Sequence, residues 1–354
     1  MKQAQCVQQC EKEVCNVKKD EVVVVKQQLA ERFVNCLDEK QAEWSKGWKS
    51  IGGACNGISN RKYSGINRFL LTFYSQEEKY EGNRFYTFNQ IKDKGYHLEN
   101  AKGKGIPVIY PMFNYFKDGS TEFSDRKIVG VAKKSEMIRN REATESNFKW
   151  AYASVKYVFS EDLVKEIEKD PQQHVYSDDE KLKFLKGFMK ETGVDFYQSK
   201  VNDRCYYVPS EHRIVLPPDN HFYSKEAMLS TLAHEIAHST SKGLEREVTG
   251  EFGSEEYAKE ELRAEIASAY ICAELGIDTS MNENNNVAYI QSWSTAIKDN
   301  YKYLEDAIKD ADKICNYVIE KGEVYQNKSL NKQLQKEYQT PSKEHKEKES
   351  ERDL

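Results

Sequence analysis

The chain has 354 residues, 31% of them charged and 38% hydrophobic, with a formal net charge of −5. That length suggests two domains with packed cores. No run approaches the roughly 20 consecutive apolar residues that a membrane-spanning helix needs, which excludes that class and any membrane partner of that kind.

In chain order, residues 1–22 are polar and carry Cys6, Cys10 and Cys15 at irregular spacings with no histidine nearby. They read as a disordered tail rather than a metal knuckle. They also lack the apolar centre of a signal peptide, and the other five cysteines are scattered, so the chain is placed in the cytoplasm. Residues 25–43 show helical spacing through Leu29, Phe33 and Leu37, with Val34 beside them. A stretch rich in Gly, Asn and aromatics follows to residue 65. Residues 67–79 and 87–94 read as helices, and 107–116, 127–132 and 152–159 as strands. Residues 23–168 therefore form an α+β domain, and the polar, proline-bearing segment 169–179 is a linker.

The second domain, 180–322, opens on a helix at 180–191. Two strands follow, 205–208 and 213–217, around a polar turn at Ser210, Glu211 and His212. Helical patterns then cover 224–241, 255–275 and 289–319. Ser254 is a candidate N-cap and Gly276 a candidate helix end for the middle one. The remainder, 323–354, is dense in Lys, Glu and Gln and reads as a disordered or solvated helical tail. The fold class is α+β: an α+β first domain and a mainly helical second domain with a small sheet.

The run His234-Glu235-Ile236-Ala237-His238 lies within the 224–241 helix. Residues four apart share a helix face, so His234 and His238 can hold one metal ion. Glu235, beside the first histidine, can take a proton from water activated there and act as general base. Catalytic zinc takes a third protein ligand. The acidic helix downstream offers Glu261 and Glu265, one turn apart, of which one can bind metal while the other accepts a ring N–H from a ligating histidine. Glu260 competes for the ligand position. Tyr257, a turn before Glu261, is a candidate donor to an oxyanion.

The order His, Glu, His, then Glu on a later helix resembles gluzincin-type zincins. That resemblance implies Glu261 as the third ligand to a single Zn2+ and Glu265 as the carboxylate orienting a histidine. It also implies an edge strand above the metal helix, where a peptide can add as a further strand.

The charge is uneven. Residues 21–165 carry 24 Lys and Arg against 18 Asp and Glu, a balance of +6, which leaves −11 for the rest of the −5 chain. A basic front half calls for an anionic partner. Within it, cations and aromatics interleave: Trp44, Lys46, Trp48 and Lys49, then Asn60, Arg61, Lys62, Tyr63, Asn67 and Arg68. Arg84, Phe85, Tyr86 and Gln90 follow, and Lys102 and Lys104 flank a glycine. Stacking faces alternating with phosphate-binding cations suit single-stranded DNA.

Two stretches carry a closer resemblance. Trp44, Trp48, Asn56, the run from Asn60 to Asn67, the run from Phe85 to Gln90, Gly95 and Lys102-Gly103 resemble the single-stranded-DNA-binding N-terminal domain of the ArdC antirestriction family, related to domains of plasmid primases. Downstream of H-E-x-x-H, Gly253-Ser254, Tyr257-Ala258, Glu260-Glu261-Leu262 and Ala264-Glu265-Ile266 are similar to that family's zincin-like metallopeptidase domain. Cys55 stands where the family usually has proline, and the cysteine-bearing head and charged tail are extra. The resemblance implies an antirestriction-type protein of a mobile element that binds single-stranded DNA and has a zinc-dependent peptidase acting on a protein substrate. The alternative is a shield of single-stranded DNA whose metal domain is structural or regulatory.

Overall fold

Leu29, Phe33 and Leu37 line one side of α1 (Lys2–Lys40), which is longer at its N-terminal end than the helix expected from residue 25. In this computed structural model, residues 2–40, 53–117, 126–167, 176–201, 204–247, 253–279 and 287–339 are described. The expected disordered tail at 1–22 is thus drawn into the helix from Lys2 onward.

The first half is built on a five-stranded sheet ordered β1-β2-β6-β4-β5. Its strands are β1 (Cys55–Asn56), β2 (Arg84–Thr87), β4 (Ile106–Tyr115), β5 (Lys127–Gly130) and β6 (Phe148–Ser160). Beside it lie α2 (Gly65–Glu78), α3 (Phe88–Asp93) and α4 (Val131–Arg139), with a small pair of β3 (His97–Leu98) and β7 (Val164–Lys165). The strand expected at 127–132 ends at Gly130, where the chain turns into α4. Gly130 lies flat on the Tyr110 ring, which a Cβ would strike at 2.2 Å.

β4 and β6 pair antiparallel along their length, from Ile106↔Val158 to Tyr115↔Phe148. The register jumps from Met112↔Tyr152 to Phe113↔Trp150, so Ala151 is a bulge residue. Beyond the reach of β5, the free edge of β4 is satisfied by a side chain. Asn67 accepts from Ile109 N at 2.7 Å and donates to Ile109 O at 2.8 Å, imitating one rung of a neighbouring strand.

The second half comprises α5 (Asp178–Thr192), α6 (Lys225–Gly243), α7 (Glu255–Leu275), α8 (Val287–Asp299) and α9 (Lys302–Gln339). A three-stranded sheet, ordered β8-β10-β9, lies beside them. β8 (Asp195–Gln198), unmarked in the sequence pattern, runs parallel to β10 (Arg213–Leu216), and β9 (Tyr206–Val208) runs antiparallel at the edge.

One apolar core crosses the two halves. Leu29 and Phe33 of α1 and Phe69, Leu70 and Phe73 of α2 join Phe188, Leu232, Ile266, Trp293 and Ile308 of the five later helices. A smaller core under the first sheet gathers Leu71, Phe85, Ile106, Val108 and Val158. Charge also crosses the junction: Arg68 on α2 meets Glu274 on α7 at 3.0 Å and Asp312 on α9 at 3.6 Å.

Candidate metal centre and nucleic-acid surface

Ser224 caps α6 by accepting from Ala227 N at 3.0 Å. Ser254 caps α7 by accepting from Tyr257 N, and Gly276 ends that helix in the left-handed region at φ 67°. Between these caps, Ala233, Ile236 and Ala237 of α6 and Leu262, Ala264 and Ile266 of α7 are fully buried. That packing fixes how the two helices cross and turns their polar residues towards each other.

His234 and His238 face one another with their Nε2 atoms 3.1 Å apart. Glu261 completes a triangle, Oε2 lying 3.5 Å from His234 Nε2 and Oε1 3.5 Å from His238 Nε2. These three residues offer donor atoms within 4.8 Å of one another, a set able to hold one metal ion. Glu265 takes the other side of His234, 3.3 Å from Nδ1. Glu260, left open by the sequence as a competing ligand, lies behind His238 instead, 3.3 Å from its Nδ1, and receives Arg246 at 2.6 Å. Each imidazole thus has a carboxylate fixing its ring, and Glu260 and Arg246 are the partners that spacing alone did not reveal.

Glu235, Glu260, Glu261 and Glu265 are all buried, and the guanidinium groups of Arg246 and Arg263 both meet Glu260. The charge of Glu261 faces the imidazoles. Buried carboxylates converging on paired histidine nitrogens fit a small divalent cation.

Without a metal, a proton takes part of that role. Burial opposes charging of His234, but the hydrogen bond with Glu261 and the fields of Glu265, Glu261 and Glu235 push its pKa up to about 10 from an ordinary 6.5. Burial would raise Glu261, yet the hydrogen bond from His234 and the charge of His238 bring it down to about 2 from 4.5. The raised His234 stabilises the metal-free fold fully below pH 6.5, and that contribution is lost as pH rises through about 10. The depressed Glu261 contributes above pH 4.5, and that contribution is lost as pH falls through about 2. In chelator, the urea midpoint should therefore fall between pH 7 and pH 10, and His234→Gln should flatten that slope. An unchanged slope would mean that the His234 proton is not linked to folding.

Tyr257, the candidate oxyanion donor, is engaged otherwise. Its hydroxyl hydrogen-bonds with the Glu261 carboxylate and with Tyr289, and burial next to Glu261 holds its pKa well above the usual phenol range. It orients Glu261. The Cys205 thiol, at the entry to β9, hydrogen-bonds with the Glu235 carboxylate and is held above its usual pKa by burial and by that charge. Tyr207, on β9 itself, bonds with Ser241 of α6. The edge strand therefore lies against the metal helix, as the zincin resemblance implies.

Replacing Glu260 by Gln should weaken metal binding by about 10- to 100-fold, the usual cost of losing a carboxylate behind a ligating histidine. Competition against a fluorescent chelator measures it, and an unchanged affinity would remove Glu260 from the site.

The expected nucleic-acid residues separate into two groups. Trp44 and Trp48 lie outside the described residues. Several others are engaged within the fold. Tyr63 packs edge-on against Phe85 at 6.5 Å, and Asn67 closes the β4 edge. Arg84 grips Glu161 through Nε and Nη2 at 2.8 and 2.7 Å. Gln90 closes the α3 capping box and pairs amide to amide with Asn56. Phe85 and Tyr86 are buried, Lys62 pairs with Glu274, and Lys104 is 3.3 Å from Glu78. Asn60 and Lys102 remain exposed, as does Arg61, which donates to Ser135 on α4 at 3.1 Å. Tyr63, Asn67, Arg84 and Gln90 thus hold the first half together, while Asn60, Arg61 and Lys102 face solvent.

The comparisons follow the same division. Residues 24–188 match a family model described as the N-terminal domain of anti-restriction factor ArdC, and residues 183–310 one described as a zincin-like metallopeptidase. The matches meet in α5. Two forms of the Escherichia coli DNA primase TraC are 29% and 28% identical over 82% and 83% of this chain. The chain spans only 19% and 27% of their lengths. The antirestriction protein ArdC from plasmid R388 shares the fold, at a TM-score of 0.59 and 24% identity for its metal-free structure and 0.60 and 25% for its Mn(II)-bound one. Each pairing covers 84% of this chain and 97% of that one. Among the described residues, no helix is long and apolar enough to cross a membrane.

Proposed function

The chain is an ArdC-like protein with a zincin-like second domain, and from that premise we propose that it binds single-stranded DNA through its first half and hydrolyses peptide bonds in its second. The observation that carries this reading is the convergence of His234, His238 and Glu261, with Glu235 between the histidines in sequence and buried against the same site. A Zn2+ ion held by those three side chains would supply Lewis acidity to a scissile carbonyl and acidify the attacking water. The Glu235 carboxylate accepts the proton of that water and returns it to the leaving amine. Glu265 and Glu260 keep the imidazole Nε2 atoms turned inward, and Tyr257 holds Glu261. Among the described residues β9 is an end strand of its sheet, and along it an extended peptide would lie. The biological setting that suits this pairing is protection of incoming single-stranded DNA from restriction.

Two measurements on the full chain test the reading. Elemental analysis should find one zinc per chain, lost in His234→Ala and His238→Ala; metal unchanged in those variants would place it elsewhere. Fluorescence anisotropy should show a labelled oligonucleotide binding with an affinity that falls steeply with salt. No binding at low salt would remove the DNA half of the proposal.

A further inference from the structure

Of the side chains that the sequence offered for DNA, Tyr63, Asn67, Arg84 and Gln90 are tied into the fold, and the first half presents a further aromatic and cationic surface. It lies beyond the β4–β6 bulge. There Ala151 is the extra residue, so Trp150 stands opposite Phe113 rather than following the alternation set by Tyr152. Trp150 is 60% exposed, with its ring edge-on to Phe113 at a centroid distance of 5.9 Å. Lys134 of α4 sits on that face, over the Phe113 ring at 4.4 Å and the Phe148 ring at 5.5 Å. The surface continues along α4, where Ser135 receives Arg61 at 3.1 Å and Lys133 is exposed.

Its charge suits a polyanion. Residues 127–160 hold seven Lys and Arg against three Glu, a surplus of four on a chain whose total is −5. Two of those glutamates pair with α4 lysines, Glu136 with Lys133 at 2.8 Å and Glu145 with Lys134 at 2.7 Å. Glu136 is half-buried and Glu145 exposed. Such solvent-facing pairs contribute little, so a phosphate can take the place of either carboxylate. An exposed indole among cations is poorly suited to a membrane core or an acidic protein surface alone. It matches a strand that presents phosphates and unstacked flat bases together.

We infer that Trp150, backed by Phe113 and flanked by Lys134 and Arg61, is a base-stacking platform for single-stranded DNA. This rests on the DNA-binding reading above and moves its centre from the segment between Trp44 and Tyr110 to the bulged end of β4 and β6. Phosphates run along the α4 side towards Arg61, and a base stacks on the open face of Trp150.

The test uses the full chain and a labelled oligothymidine of about 20 nucleotides. Trp150→Ala should weaken binding about five- to one-hundred-fold, the range found when an aromatic stacking partner is removed. Trp150→Phe should keep most of the affinity. Arg61→Ala combined with Lys133→Ala should make the salt dependence shallower. Preference for the single strand over a duplex of the same length should shrink in Trp150→Ala. Unchanged zinc content in each variant shows that the fold is intact. If the wild-type chain binds the oligonucleotide and Trp150→Ala binds it equally well, the platform is refuted while the DNA reading stands. If the wild-type chain does not bind, the reading itself fails. If Trp150→Ala instead abolishes a concentration-dependent dimer with DNA affinity unchanged, the indole is a contact between copies of the chain and the inference is overturned.

Discussion

Glu235→Gln should retain one metal ion per chain and lower peptide hydrolysis by about two to four orders of magnitude, the span attributed to a positioned general acid–base group. The substitution keeps the shape of the side chain and removes only its basicity. Glu235 is 8% exposed on α6 and hydrogen-bonded with the Cys205 thiol at the entry to β9, so the amide stays in place. None of the three ligand atoms belongs to it, which is why metal content should not change. Release of fluorescent peptides from labelled casein gives the rate, and elemental analysis the metal. Activity equal to wild type would place the base elsewhere. The same variant separates hydrolysis from shielding. If it still protects single-stranded DNA against a restriction nuclease, protection does not require cleavage.

Arg68→Ala should destabilise the chain by about 3–5 kcal/mol, the usual result of removing one partner from a buried ion pair. Arg68 is 4% exposed, and its guanidinium lies 3.0 Å from Glu274, 3.3 Å from the Tyr270 carbonyl oxygen and 4.1 Å from the Tyr270 ring centre. Removing it leaves Asp312 and most of the Glu274 charge in a low-dielectric junction; Lys62 still reaches Glu274 from the surface. Urea unfolding followed by far-ultraviolet circular dichroism measures the loss. Arg68→Leu combined with Glu274→Met should recover part of it, because it removes the stranded charge as well. A shift below about 1 kcal/mol in the single variant would mean that the junction is wet.

The metal centre was legible because its key spacings are local. A four-residue interval places His234 beside His238 on any helix, and the same interval places Glu261 beside Glu265. The assignment among three nearby glutamates was not local. Whether Glu260 or Glu261 meets the Nε2 pair depends on the angle at which α7 crosses α6, which packing of Ala237, Leu262 and Ile266 decides. The front half misled for a related reason. Arg84 reads as a free cation until Glu161, 77 residues later, is seen at 2.7 Å. Asn67 and Arg68, at the start of the helix expected from 67, likewise look like surface groups, but Asn67 closes a strand edge and Arg68 is buried against Glu274 of α7. Trp150 lies outside the strand that alternation marks at 152–159, because β6 continues back to Phe148 past a bulge at Ala151 that leaves no mark in the sequence.

The helices α1 and α2 are laid down by the first half but buried among the helices of the second half. Such a chain melts as one cooperative unit, and anything that binds only the folded form stabilises all of it by mass action. An oligonucleotide held at the first sheet should therefore slow amide exchange in α6 and α7, and zinc should slow it in α1, by the same free energy and without any change of shape at the other site. The two ligands would share a reservoir of stability rather than a signalling route.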